Sequence, residues 1–62
     1  MRITQKRVDG AWVPSPAAEW TPEDARAYAA LLTVFDAEPE RVVMDGDMPV
    51  VTDGDRRVLE ID

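Results

Sequence analysis

Residues 20–37, WTPEDARAYAALLTVFDA, decide how the rest of this chain must fold. Thr21 is a good N-cap, Pro22 suits the first helical position, and Asp24 stands three residues after the cap, close to a capping box. Glu23 and Asp24 place negative charge at the positive end of the helix dipole. Trp20 precedes the cap and is positioned to fold over Ala25 as a hydrophobic staple. At about 100° per residue, Ala25, Tyr28, Leu31, Leu32 and Phe35 share one stripe, with Ala27 at its margin. Arg26, Thr33 and Asp36 fall on the opposite side. Pro39 discourages helical geometry at Glu38, so the predicted helix spans 21–37. Asp36, Glu38 and Glu40 crowd its negative end, where the dipole disfavours them.

Strand patterns lie on both sides of this helix. Residues 2–8, RITQKRV, and 11–13, AWV, flank Asp9-Gly10, a strong hairpin signal, and so predict a hairpin over 2–13. Residues 14–20 form a Pro-interrupted connector, read as extended. After the helix, 41–44, 50–52 and 57–61 read as three strands of a meander spanning 41–61. Pro49 cannot donate to a ladder and is expected at a strand start or on an exposed edge. The motif V-x-D-G-D-x-x-V occurs twice, at 43–50 and 51–58, and is read as repeated turn chemistry. The order ββαβββ predicts an α+β fold, one helix packed on one face of a mainly antiparallel sheet of four or five strands. The expected core is Ile3, Val13, Trp20, Tyr28, Leu31, Leu32, Phe35, Val42, Met44, Val50, Leu59 and Ile61. In strands this short a one-residue slip exchanges Val42 with Val43, or Val50 with Val51.

Composition bounds the rest. Sixty-two residues make a single small domain with a thin stability margin. The absence of cysteine removes disulfides and thiolate metal sites, and is compatible with the expected cytoplasmic location. No apolar run approaches a secretory signal or a membrane span. The net charge of −6 is unevenly divided. Residues 1–30 carry four cations against four acids, whereas residues 31–62 carry three arginines against nine acids. Such a surface repels nucleic acid and anionic membrane and attracts a basic protein partner.

Chemistry has few candidates. Asp45, Asp47, Asp53 and Asp55 invite a calcium reading, but neither DGD unit supplies the D-x-[DN]-x-[DN]-G pattern of an EF-hand loop. Turn geometry accounts for these residues better, and no metal or cofactor is expected. There is no histidine and no cysteine, and the only serine, Ser15, stands between two prolines. Catalysis therefore lacks its commonest base and its best nucleophile, and no enzyme activity is expected. Trp20 is assigned to the core, whereas Trp12 is equally suited to partner contact. Arg2, Lys6 and Arg7 form a basic group on the first strand.

These observations predict a non-catalytic binding module acting through a protein partner, as an inhibitor or accessory protein. Its expected contact residues are Asp36, Glu38, Glu40, Asp45, Asp47, Asp53, Asp55 and Trp12. The acids could dock on a basic protein, in the extreme by imitating the phosphate array of nucleic acid. Successive turns of a meander emerge at opposite ends of a sheet, which splits the acids into at least two patches. The alternative is a structural subunit or self-associating component of a larger assembly, since open strand edges support sheet extension.

Overall fold

A computed structural model describes residues 1–61 as one helix packed on a five-stranded antiparallel sheet, an α+β fold. The elements are β1 (Arg2–Val8), β2 (Ala11–Pro14), α1 (Pro22–Ala37), β3 (Val43–Asp45), β4 (Met48–Asp53) and β5 (Arg56–Glu60). The strand order is β2-β1-β5-β4-β3, so the chain's first strand lies against its last. This pairing carries the largest sequence separation in the sheet, with Ile3 opposite Leu59 and Lys6 opposite Arg56.

Local chemistry explains most boundaries. Thr21 accepts from the Asp24 N–H at 3.1 Å while the Asp24 carboxylate accepts from the Thr21 N–H at 3.0 Å, completing the capping box. Pro39 turns the backbone at Glu38 and α1 ends at Ala37, as its sequence requires. The connector is not wholly extended: Ala17–Glu19 form a 3-10 turn. A second 3-10 turn, Pro39–Arg41, takes Arg41 out of the predicted third strand, and β3 begins two residues later than expected.

The three hairpin turns differ. Asp9 and Gly10 both have positive φ, 51° and 82°, the pattern of a type I′ turn. In the two repeats only the glycine does, Gly46 at 64° and Gly54 at 62°. The turn pairs there are Gly46-Asp47 and Gly54-Asp55, the type II′ pattern, with Asp45 and Asp53 ending the strands before them.

The core beneath α1 is Tyr28, Leu31, Val51 and Val58, with Trp20, Leu32, Val34, Phe35 and Val42 packed around it. The buried helical stripe runs through Asp24, Tyr28 and Leu31, leaving Ala25 exposed and outside it. Trp20 accordingly stacks on Tyr28, centroids 4.9 Å apart, and its indole N–H donates to the Ser15 carbonyl at 2.7 Å. Val42 packs on the helix side and Val50 and Leu59 are buried, as expected, but in β4 and β5 the helix-facing register is off by one residue. Val51 and Val58, not Val50 and Leu59, meet the helix, because Val51 pairs with Val58 on that face.

Val50 and Leu59 are buried on the opposite face, within a row Val43–Val50–Leu59–Ile3 of directly opposed residues. Ile3, expected beneath the helix, belongs to this second face. Met44, predicted as core, is 59% exposed on the three-residue edge strand β3. Pro49 is the second residue of β4, an interior strand. Its position opposite Met44 satisfies β3 without an N–H, and the β4–β5 ladder stops at Val50–Leu59, just short of it.

Candidate protein-binding edge and its acidic surround

The strongest charge cluster is structural. Asp24, 1% exposed, accepts from Lys6 Nζ at 2.8 Å and Arg56 Nε at 2.9 Å, besides the Thr21 N–H. The Lys6 ammonium, then the Thr21 N–H, hold its carboxyl well below the usual carboxylate range despite burial. This one side chain joins the start of α1 to β1 and β5. Sequence reading placed Asp24 in the cap but not in the interior, because its two cations come from strands 18 and 32 residues away.

Other ion pairs consume much of the acid surface. Arg2 bonds Asp36 and also approaches Glu60 at 3.5 Å, and Met1 reaches Glu60 at 2.7 Å through its N-terminal ammonium. Asp36 is held low by Arg2, and Glu60 by the N-terminal ammonium before Arg2. Arg7 pairs with Asp55 at 3.2 Å, Arg41 with Glu38 at 3.6 Å, and Arg57 approaches Asp45 at 4.0 Å. The N-terminal ammonium, Arg2 and Arg7 of the neutral first half thus pair with acids of the second, and Arg41 and Arg57 pair within it. Among the described residues, Glu40, Asp47 and Asp53 are the predicted contact acids without an ion pair.

The acids fall at two ends of the sheet. Asp53 and Asp55 sit at the β4–β5 turn, beside the end of β1, where the Arg7 N–H donates to the Asp55 carbonyl. Asp45 and Asp47 sit at the other end, where an open groove of about 460 Å3 is lined by Asp47, Met48, Pro49, Glu60 and Ile61. Asp36 reaches this same end through Arg2 and Glu60, and Glu38 and Glu40 follow it in the chain. Among the described residues, no three acidic side chains converge so as to hold a metal ion.

Trp12 lies on the sheet face away from α1 and is half-buried beneath its own arginines. Arg57 stands 4.5 Å and Arg7 5.1 Å from its ring centroid. Arg57 also donates to Gln5 Oε1 at 2.6 Å. The predicted basic group on β1 is thereby divided. Arg2 and Lys6 serve the helix side, and Arg7 serves the Trp12 cluster.

What remains open is β3. It is an edge strand, and Val43 and Met44 are 67% and 59% exposed, on opposite faces by strand alternation. Asp45 and Asp47 follow them, and Glu40 precedes them in the 3-10 turn. The exposed apolar pair was missed by sequence reading, which buried Met44. The signal that could have found it is the brevity of the strand between Pro39 and Gly46.

Comparison of the chain with protein-family models, with curated proteins and with solved structures finds no match. No helix among the described residues is long and apolar enough to cross a membrane.

Proposed function

We propose that this chain is a non-catalytic binding module that docks on a basic protein partner through β3 and the acids around it. The observation that carries this reading is the exposure of Val43 and Met44 on an open edge, flanked by Glu40 and Asp47. Apolar side chains with unpaired backbone beside them are a contact surface, and the neighbouring acids favour a cationic partner. The carboxylates with shifted titration are ones that the fold itself engages. Asp24, Asp36 and Glu60 are shifted down and held ionised by cations, away from the neutral range a general acid uses. Separation of the acids onto two ends favours local docking over imitation of a continuous phosphate array.

The test is isolation of partners from the native cells with the tagged chain and with a Glu40→Gln/Asp47→Asn variant. A partner held by the parent chain, released by salt and lost by the variant supports the reading. A partner held equally by both, and insensitive to salt, overturns it.

A further inference from the structure

We infer that the partner's contact is an extended cationic segment that adds to β3 as a sixth strand. This rests on the binding-module reading and specifies its chemistry. The two edges of the sheet are not equivalent. On β2, Pro14 is paired with Gln5 and lacks an N–H to offer, and Trp12 is overlaid by Arg7 and Arg57. A strand approaching there meets one missing donor and a crowded, charged face. β3 carries no such arginine cover, and its one engaged donor, the Val42 N–H, lies before the strand and not within it.

The hairpin fixes what β3 presents. Asp45 and Met48 close a two-residue turn, so the ladder alternates from a hydrogen-bonded pair there to a non-hydrogen-bonded pair at Met44–Pro49. Proline opposite Met44 agrees with that assignment, because a proline has no N–H to exchange. The Met44 N–H and carbonyl consequently face away from β4, toward the free edge. The next outward N–H along the strand, that of Val42, is already donated to the Pro39 carbonyl at 3.1 Å. Met44 is thus the centre of a short docking ladder. Val43 on one face and Met44 on the other can each receive an apolar side chain of the incoming strand.

Charge selects the occupant. A second copy of this chain would bring two molecules of net charge −6 together along edges that each carry Glu40, Asp45 and Asp47. A segment alternating apolar residues with lysine or arginine meets the same acids as counterions.

The experiment titrates isotope-labelled protein with a short synthetic peptide alternating lysine and valine, and with its glutamate–valine counterpart. Expected are amide shifts confined to residues 43–47 with the lysine peptide alone. The Met44 amide should exchange more slowly when bound, and affinity should fall about tenfold or more between low and high salt. Met44→Pro, which removes the outward N–H on an edge that tolerates proline, should abolish binding while the remaining amide spectrum stays native. Asp45→Asn/Asp47→Asn should weaken it several-fold.

Shifts centred on Trp12 or Asp53, or undiminished binding by Met44→Pro, overturn strand addition and leave the binding module standing. Failure of the lysine peptide to shift β3 also overturns it. Concentration-dependent shifts at the same amides without peptide would assign the edge to a second copy instead. The wider reading falls only if the partner isolation described above also fails.

Discussion

At the scale of single residues, Asp24 and Tyr28 bear more than their types foretell. Asp24 gathers two cations and the helix cap, so Asp24→Asn should destabilise the fold more than Thr21→Ala, which removes one capping bond and costs about 1 kcal/mol. Urea unfolding of both variants against the parent checks the order. An Asp24→Asn loss no larger than that of Thr21→Ala would reduce Asp24 to a cap. Tyr28 is fully buried and donates to the Gln5 carbonyl at 2.7 Å. Tyr28→Phe keeps the ring beneath Trp20 and removes one bond to a carbonyl that still lies in the β1–β5 ladder opposite Arg57, for an expected loss of about 1 kcal/mol by the same measurement. Trp12, by contrast, is a tryptophan already in use. Its two arginines make it a pillar of the sheet's second face more than an open contact.

At the scale of elements, helix α1 and the type I′ hairpin follow directly from their sequences, whereas the repeated motif does not act as its letters suggest. The letters D-G suggest Asp-Gly as the turn pair, and the structure uses Gly-Asp in both repeats. The reason is conformational. Gly46 and Gly54 occupy positive φ at the first turn position, and no atom lies within 4 Å of where a Cβ would stand. Substitution there meets backbone strain and no clash. Gly54→Ala should cost about 1–2 kcal/mol, and D-alanine at the same position, in a synthetic chain, should cost little or nothing. Equal losses for the two alanines would show that packing, not φ, governs the turn. β3 is the element whose reading failed. Its apolar residues invited burial, but three residues on an edge, led in by a 3-10 turn, give Met44 nothing to pack under.

At the scale of the whole molecule, the ion pairs tie the chain's two halves together. Arg2–Asp36, Arg7–Asp55 and the Asp24 cluster each join segments distant in sequence. Asp24, Asp36 and Glu60 all have lowered pKa values in the folded state. On the acid side the folded protein therefore binds fewer protons than the unfolded chain. Their stabilisation is full above the ordinary carboxylate range, about pH 4–5, and is lost progressively as pH falls below it. Thermal unfolding followed from pH 7 to pH 2 should show a falling midpoint. Asp24→Asn should flatten that fall, and an unchanged profile would remove Asp24 as its main source. Val58→Ala should cost about 2–3 kcal/mol by opening the core beneath α1, lowering the midpoint by roughly 10 °C or more in a domain this small.

The sequence by itself determined the helix and its limits, the five strands, the hairpins and the excess of acid in the second half. Each of these is written in neighbouring residues: a cap, a proline, a glycine that tolerates positive φ, a periodicity. Only the tertiary structure decided the strand order, the sheet face that meets the helix, and which acids remain free. The Val-Val and Val-Leu pairs at 50–51 and 58–59 are apolar on both faces, so alternation could not choose between registers. Pairing β1 with β5 made the choice, setting Thr4 opposite Val58 and Ile3 opposite Leu59. The same pairing brought Lys6 and Arg56 together around Asp24 and turned a charge-segregated chain into a cross-linked one. The strand pairs join residues more than fifty positions apart, Lys6 and Arg56 reach Asp24 across 18 and 32, and no local pattern encodes either.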